Sequence, residues 1–464
     1  MPDAQTPVSG RGHLVIRGAT VLSMDPAVGD LERGDIEIAD GTIVAVGEGL
    51  DAPGAESIDG RDRIAIPGFV DPHWHLWGTI LRGVIGDGPT GYFPQKDRYA
   101  HLYRPDDTAA AVRLAAADGL AAGITTIHDW AHNVLSRDDA EADLGALRRL
   151  GVRARFSYGA PSTTPGLSLD QMAAALGTSV AVSVDQAMDI ELAASLREAW
   201  AADDGLLTFG VAVRGPARST LDVVHAEFAA ARSFGLPIAM HCAGTRAEVE
   251  RIDQITVLED AGLLADDLLL AHANHLPAAS IVRVAAHGIP ITVSPACELR
   301  LAMGPPPVVR FRAAGIRVSF SLDSTAIIGA ADPFEAMRLA VGIERLGGDL
   351  HGLTQRDALE IATIEGARSL GLGDVVGSIS PGKRADVVLI ATDRPGLAPV
   401  VDPYVAVVHG ARPSDVRTVL VDGIPVVDEG RLLTADVDEI VATANAALAG
   451  LRERAAATPA PAHH

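Results

Sequence analysis

The chain has 464 residues, which is long enough for one large barrel domain or for two to three smaller domains. Hydrophobic residues make up 48% of it, which excludes a disordered chain, and a formal charge of -22 argues against nucleic acid and anionic membrane surfaces as partners. It has 2 cysteines, no signal-peptide pattern and no apolar run long enough to span a membrane, so we expect a cytoplasmic protein.

Residues 1–62 predict part of a small β-sheet. Short apolar runs at residues 14–16, 35–38 and 42–46 alternate with turn residues. An Asp-Gly pair at residues 40–41 separates the last two runs and favours the positive-φ turn of a β-hairpin.

A different pattern begins near residue 63, where short apolar runs alternate with helical segments rich in Ala, Leu, Arg and Glu. This alternation is typical of a parallel β/α fold. Eight strands are expected, at residues 64–70, 125–128, 153–157, 207–213, 237–241, 268–272, 290–294 and 318–322. Helices expected between them include residues 108–121, 219–234, 245–260 and 277–286. We therefore predict an α/β protein with a (β/α)8 TIM-like barrel over residues 63–373.

The end of the chain resembles its beginning. Two helices are expected at residues 332–346 and 354–370. Strand patterns then return at residues 386–390, 405–408 and 416–421. We infer that residues 374–436 and residues 1–62 together form one β-sheet domain that flanks the barrel. A terminal helix and a disordered tail are expected over residues 437–464.

Five polar side chains are expected at one end of the barrel. His73 and His75 follow the first apolar run on alternate positions, so both imidazoles face the same side of an extended chain. His241 ends the fifth expected strand, His272 ends the sixth, and Asp323 follows the eighth. Because the chemistry of such barrels lies where the strands end, these residues are candidates for one metal site.

This set of residues suits a borderline divalent ion such as zinc. Neutral imidazoles and one carboxylate are ligands for such an ion, which leaves a position open for water. The ion would lower the pKa of that water, and a neighbouring carboxylate could accept its proton. Asp323 is the candidate base, and His272 is the candidate group for stabilising the tetrahedral intermediate or for transferring a proton to the leaving group.

The motifs resemble those of the amidohydrolase superfamily. They are the Pro-Gly-Phe-Val-Asp-x-His-x-His run of residues 67–75, His241, Ala271-His272, Asp323 and the Gly-Ser-Ile-x-Pro-Gly-Lys-x-Ala-Asp run of residues 377–386. The chain is similar to the branch that holds cytosine, guanine and methylthioadenosine deaminases and triazine chlorohydrolases. The resemblance implies a mononuclear zinc or iron site bound by His73, His75, His241 and Asp323, with His272 beside the reactive water. It also implies a homo-oligomer, expected to be a dimer, and a small-molecule substrate.

The chain departs from this family pattern after the fifth strand. The deaminases carry a glutamate three residues beyond the strand 5 histidine, where it protonates a ring nitrogen, but here Gly244 occupies that position. Glu298, in the segment after the seventh strand, is a candidate to replace it as a catalytic group. The alternative is that Glu298 is a surface residue.

Five residues are candidates for binding the substrate. Aromatic faces and hydrogen-bonding groups near the strand ends suit a flat heterocycle. Trp74 follows the first strand, Trp130 and His132 follow the second, Arg214 follows the fourth, and His275 follows the sixth. The segment 83–104 is a candidate lid.

The sequence favours a metal-dependent hydrolase that acts on a C–N bond, with hydrolytic deamination as the expected reaction. Two alternatives remain open at this point. Opening of a cyclic amide or removal of a halide would not need the missing glutamate. A non-catalytic binding protein is the third possibility, although all five positions of the metal site are filled.

Overall fold

The computed structural model describes most of the chain, with gaps at both ends and inside it. The described residues are 12–84, 89–159, 161, 185–202, 205–346 and 352–457. The disordered tail is expected over residues 455–464, but residues 455–457 belong to the last helix and residues 458–464 lie outside this part of the chain, as do residues 85–88 of the candidate lid.

The chain begins with five strands that belong to a β-sheet. They are β1 (His13–Leu22), β2 (Asp30–Ala39), β3 (Thr42–Gly47), β4 (Glu56–Asp59) and β5 (Arg63–Pro67). β1 pairs antiparallel with β2 and parallel with β4 and β5. Asp40 and Gly41 both have positive φ in the turn between β2 and β3, so the predicted hairpin is confirmed.

Eight parallel strands follow and form a nearly closed barrel. They are β6 (Phe69–Trp74), β7 (Ile124–Ala131), β8 (Arg153–Tyr158), β9 (Leu207–Val213), β10 (Ile238–Cys242), β11 (Leu268–His272), β12 (Ile291–Val293) and β13 (Val318–Phe320). Neighbours in the chain are neighbours in the sheet, from β6 through to β13. Backbone bonds between the ends of β6 and β13 bring the first and last strands together. The predicted α/β barrel is confirmed.

The last four strands return to the first sheet. They are β14 (Val387–Ala391), β15 (Val416–Val421), β16 (Ile424–Asp428) and β17 (Arg431–Leu432). The order across the sheet is β17-β16-β15-β14-β5-β1-β2-β3, with β4 beside β1. β14 pairs antiparallel with β5, and this pairing joins the two ends of the chain as expected.

Helices surround the barrel and connect its strands. Those before β10 are α1 (Pro89–Ala100), α2 (Pro105–Ala121), α3 (Arg137–Leu150), α4 (Ile190–Trp200) and α5 (Leu221–Ser233). Those up to β14 are α6 (Arg246–Arg251), α7 (Gln254–Asp260), α8 (Ala278–Ala286), α9 (Pro295–Arg300), α10 (Val308–Ala313), α11 (Thr325–Ile328), α12 (Pro333–Arg345), α13 (Gln355–Ala362) and α14 (Ile364–Ser369). The last are α15 (Pro403–Val405) and α16 (Val437–Ala457).

The structure corrects three of the expected elements. Residues 405–408, expected as a strand, lie in helical turns over Pro403–Val405 and Ala406–Gly410, because a short apolar run fits a buried helical turn as well as a strand. The helix expected over 245–260 is two helices, α6 and α7, because the backbone at Ile252 is extended and Asp253 caps the second one. The helix expected over 354–370 is interrupted at Thr363.

Gly68 divides the expected strand 64–70 between the two sheets. Its N–H donates to the backbone oxygen of Asp386 over 2.9 Å, while the N–H of Phe69 donates to the backbone oxygen of Gly123 over 3.0 Å. A Cβ at Gly68 would lie 2.0 Å from Oγ1 of Thr125, so only glycine fits between β5 and β6. The first half of the expected barrel strand is therefore part of the flanking sheet.

A buried ion cluster links the barrel to the sheet. Arg153, at the start of β8, donates from Nε and Nη2 to the two carboxylate oxygens of Asp386, each over 3.1 Å. Its Nη2 also lies 3.4 Å from Oδ1 of Asp422 in the β15–β16 turn. All three side chains are almost fully buried, so their mutual pairing offsets a large desolvation cost.

Candidate metal centre

The first strand of the barrel presents two histidines to the barrel interior. His73 lies at the end of β6 and His75 directly follows it, and both side chains are buried. Their ring centroids are 4.7 Å apart, as expected for alternate residues on one face of a strand. The predicted pair of neighbouring imidazoles is therefore present.

Asp323 joins this pair where the barrel closes. Its N–H donates to the backbone oxygen of His73 over 2.9 Å, and its own backbone oxygen accepts from the N–H of His75 over 2.7 Å. Its Oδ1 lies 3.3 Å from Nε2 of His73 and 3.3 Å from Nε2 of His75. One carboxylate oxygen thus faces two imidazole nitrogens.

The remaining two histidines complete the cluster. The ring of His241, on β10, lies 5.0 Å from that of His73, and the ring of His272, on β11, lies 5.4 Å from it. Potential ligand atoms lie within 4.8 Å of one another in two overlapping sets. The sets are His73, His75 and His241, and His73, His272 and Asp323. The structure brings together all five residues that the sequence predicted.

The donor atoms fit one divalent ion. Ligand atoms about 2.1 Å from a tetrahedral ion are separated by about 3.4 Å, close to the 3.3 Å between Asp323 and each of its two histidines. Among the described residues, Nδ1 of the buried His73 has no hydrogen-bond partner, and its Nε2 faces the carboxylate of Asp323 over 3.3 Å. Burial of ring nitrogens that are so poorly satisfied costs free energy unless something else binds them, and a metal ion would do so.

Electrostatics favour the forms that bind metals. Burial lowers the pKa of His73 to about 3 and lowers the pKa of His241 well below its usual range, so both imidazoles are neutral. Burial opposes ionisation of Asp323, but the neighbouring His73 and His75 hold its pKa well below the usual value. The site therefore offers the neutral imidazoles of His73 and His241 and one carboxylate at neutral pH.

Comparison with known proteins agrees with this geometry. The sequence profile of the amidohydrolase family matches residues 64–426 of the chain. The chain belongs to the amidohydrolase family. It is an enzyme of the aminohydrolase type, a metal-dependent hydrolase, as the sequence predicted.

Several relatives match over nearly the whole chain. It is 32% identical to a 5-methylthioadenosine/S-adenosylhomocysteine deaminase of Symbiobacterium thermophilum, over 95% of this chain and 99% of that one. It is 30% identical to the deaminase of the same name of Pelotomaculum thermopropionicum, over 93% and 97% of the two chains.

Solved structures share the fold. An adenosine deaminase of Xanthomonas campestris with bound zinc superposes with a TM-score of 0.80 at 25% identity, covering 97% of this chain and 100% of that one. A triazine hydrolase of Arthrobacter aurescens superposes with a TM-score of 0.82 over 94% and 99% of the chains, and at 24% identity it supports the fold alone.

Glu298 does not face the metal centre of this amidohydrolase. It lies in α9 with 0% of its surface exposed, so the alternative of a surface residue is wrong. Its Oε1 accepts from Nδ1 of His272 over 3.1 Å and from the N–H of Ser294 over 2.9 Å. Its Oε2 accepts from Nδ2 of Asn274 over 3.1 Å. Burial opposes a charge on His272, but this bond and the charge of Asp323 raise the pKa of its imidazole.

Gly244 takes the position of the family glutamate, and an apolar group fills the space beside it. A Cβ at Gly244 would lie 2.6 Å from Cε of Met303 and 3.8 Å from Cβ of His272. Met303 itself is buried, with 9% of its surface exposed. The methyl group of Met303 therefore occupies the space that a side chain at position 244, just after β10, would enter.

The aromatic candidates have different surroundings. Trp74 is fully buried, and a Cβ at Gly119 of α2 would lie 3.0 Å from its ring, so Trp74 packs in the core and does not line the site. The alternation that turns His73 inward turns Trp74 outward. Trp130 lies inside the barrel, with its ring centroid 4.4 Å from that of His73 and 4.4 Å from that of His241.

The polar candidates His132, Arg214 and His275 have different contacts. The ring of His132 is 4.3 Å from that of His75, and its Nδ1 accepts from Nε1 of Trp77 over 3.4 Å. Nη2 of Arg214 donates to the backbone oxygen of Pro161 over 3.3 Å. Nε2 of His275 is bound to the backbone oxygen of Met303 over 2.6 Å, so this histidine holds the loop that carries Met303.

Sequence reasoning missed one residue that shapes the centre. Asp71 is buried, and its two oxygens accept from the N–H of His73 and from the N–H of Leu322, each over 3.0 Å. It therefore clamps the ends of the first and last barrel strands. The Val-Asp-x-His run of the motif was the available signal for this contact.

Two further features lie away from the centre. A cavity of about 450 Å³ is lined by residues near the starts of β10 and β11 and by Arg155, and it contains none of the five clustered residues. In the part of the chain that the structure describes, no helix is long and apolar enough to cross a membrane.

Proposed function

We propose that this amidohydrolase deaminates a small heterocyclic amine by hydrolysis. The observation that carries the proposal is the cluster of four histidines around the carboxylate of Asp323 at the ends of the barrel strands. The names of the relatives, deaminases of adenosine derivatives, support aminopurine nucleosides as the first substrates to test.

His73, His75, His241 and Asp323 are the proposed ligands of one divalent ion. When bound, such an ion lowers the pKa of a coordinated water toward neutrality. Asp323 then accepts a proton from the attacking water and returns it to the departing nitrogen. His272 lies near the same carboxylate, and its imidazole stabilises negative charge that develops on the oxygen bound to the reacting carbon.

The side chains around the cluster would bind the substrate. Trp130 closes the inner side of the site and limits how deeply a ring can enter. His132 lies beside His75 at the rim, where it can donate or accept a hydrogen bond. Arg214 and His275 remain candidates for contacts with more distant parts of a substrate.

The experiment that tests this function measures ammonia release. Zinc-loaded protein is incubated with a panel of aminopurine nucleosides and other heterocyclic amines, with His73→Ala as the control. We expect ammonia from at least one amine and none with the control. Full metal occupancy without ammonia from any amine would contradict the proposal.

A second function is favoured by Gly244. A deaminase of this branch needs a proton on a ring nitrogen, and here the methyl group of Met303 occupies the space beside that strand position. Hydrolysis of a cyclic amide or of a carbon–halogen bond does not need that proton. A lactam and a chlorinated heterocycle in the same panel, followed by product mass, would distinguish these reactions from deamination.

Finer expectations about the metal ion, the assembly and location of the enzyme, and the domain limits belong to this proposal. The ion is zinc, with iron as the alternative, and elemental analysis should find one equivalent per chain. The enzyme is a homodimer in the cytoplasm that acts on a small molecule and binds no nucleic acid. Sedimentation velocity and cell fractionation test the first two of these properties. The domain limits at residues 62, 373 and 436 stay predictions.

A further inference from the structure

A hydrogen bond joins Glu298 to His272 of this centre. A carboxylate with no exposed surface loses its hydration, which costs free energy unless donors replace the water. Here three donors do so, and the only one of them that belongs to the five-residue cluster is Nδ1 of His272. The bond therefore connects α9, outside the cluster, to a ring inside it.

This bond decides which nitrogen of His272 faces the cluster. Both carboxylate oxygens of Glu298 accept from other N–H groups, of Ser294 and Asn274, which indicates that Nδ1 of His272 carries the proton and donates to Oε1. Nε2, on the other side of the ring, is then the atom left for the metal centre. The ring is also stacked on that of His241, with centroids 5.4 Å apart and planes 15° apart, which limits its rotation.

The other carboxylates near the cluster are already engaged. Glu248 accepts from the N–H of Gly244 over 3.1 Å and from Nε2 of Gln254 over 2.7 Å. Asp71 accepts two backbone N–H groups. Among the described residues, no second carboxylate contacts His272 at hydrogen-bond distance.

We propose that Glu298 is a positioning residue, which fixes the tautomer and orientation of His272 so that Nε2 faces the reacting atoms. This inference rests on the proposed function, in which His272 stabilises negative charge on the oxygen bound to the reacting carbon. The segment after β10 has Gly244 at the position of the family glutamate and therefore supplies no acidic side chain there. Correct placement of the His272 imidazole consequently matters more than in a centre that has this second acid.

A purely structural role for Glu298 must be distinguished from positioning. Its bond to Ser294 caps the start of α9, and its bond to Asn274 holds the loop after β11. Asn274→Ala removes the second bond and leaves His272 untouched, so it is the matched control. Glu298→Gln keeps an acceptor oxygen for Nδ1, whereas Glu298→Leu keeps only the approximate volume.

The first readout is spectroscopic and needs no substrate. Histidine is labelled with ¹⁵N in the zinc-loaded protein, and His272 is assigned by comparison with a His272→Asn variant. We expect one fixed Nδ1–H tautomer in the original protein, in Glu298→Gln and in Asn274→Ala, and its loss in Glu298→Leu. An unchanged tautomer in Glu298→Leu would overturn the proposal.

The second readout is the steady-state kinetics of ammonia release. We expect Glu298→Leu to lower kcat about 10- to 100-fold with little change in KM or metal content, since outer groups that orient a ligand or catalytic ring have effects of this size. Glu298→Gln should restore most of the rate. An equal loss in Asn274→Ala would show a structural role only. Absence of ammonia from the original protein would refute deamination, whereas the tautomer measurement would still decide the role of Glu298.

Discussion

Replacement of Gly68 by alanine tests whether the junction between the sheet and the barrel is as tight as the structure indicates. The new Cβ would lie 2.0 Å from Oγ1, 2.4 Å from Cγ2 and 2.7 Å from Cβ of Thr125. Carbon atoms in contact are normally about 3.5–4.0 Å apart, so the two segments would have to separate by about 1 Å. A rotamer change cannot relieve the contact, because Cβ of Thr125 is itself too close.

Overpacking of a core costs about 1–3 kcal/mol, and we expect Gly68→Ala to lower the free energy of unfolding by about 3 kcal/mol. Urea-induced unfolding of the zinc-loaded protein measures this quantity. Gly342→Ala is the matched control, because a Cβ added at Gly342 in α12 would meet no atom of the described residues within 4 Å, and alanine favours a helix by about 1 kcal/mol.

A second variant tests the cause of the loss. Thr125→Gly in the Gly68→Ala background removes all three close atoms, and the hydroxyl of Thr125 has no hydrogen-bond partner among the described residues. The pair should therefore recover part of the stability lost in the single variant. A Gly68→Ala protein within about 0.5 kcal/mol of the original, below the range for overpacking, would refute the reasoning.

Three further changes have outcomes that the structure predicts. Among the described residues, Asp386→Asn leaves the buried Arg153 with Asp422 as its only carboxylate partner, and urea unfolding should show a loss of about 3 kcal/mol, since one partner of a buried pair is removed. Burial raises the pKa of Asp129 to about 7 and raises the pKa of Asp143 well above its usual value, so the folded protein holds protons that the unfolded chain releases above a pH of about 4. Stability should therefore fall as the pH rises from about 4 to 7, by up to about 1.4 kcal/mol per pH unit for each proton, and urea titrations should show a shallower fall in Asp143→Asn. Chelation of the metal should lower Tm in a thermal scan, and zinc should restore it where magnesium does not, since imidazole ligands favour zinc.

The metal cluster could be predicted because its members lie at equivalent places in a repeated pattern. Parallel strands end at the same edge of a barrel, so His73, His241, His272 and Asp323 had to meet once their strands were recognised. The period of two along a strand placed His75 with His73. The same period also excludes Trp74 from the site, so that error was avoidable.

Other features depend on packing that no local pattern contains. The position of Glu298 follows from how α9 lies against β11, and its spacing from His272 in the chain gives no sign of their contact. The break at Gly68 depends on a neighbouring strand that begins more than 300 residues later, at Val387. The apolar run at 405–408 fits a strand or a helix equally well, and tertiary contacts decided for the helix.

Four residues of the metal centre have a strained backbone conformation. Ala243, His272, Ala273 and Asp323 have φ values of 48°, 73°, 62° and 62°, in the left-handed region that side chains disfavour. Such residues cost about 1–3 kcal/mol each and persist only where the surrounding structure holds them.

Backbone bonds between strand ends hold these residues in place. The N–H of Ala273 donates to the oxygen of Cys242 over 2.8 Å, and the N–H groups of Asp323 and His75 bind across the junction of the first and last strands. These bonds involve no ligand atom of the proposed metal site. The donor atoms are therefore arranged by the barrel itself, and the protein without metal should keep its fold while losing only the stability that binding adds.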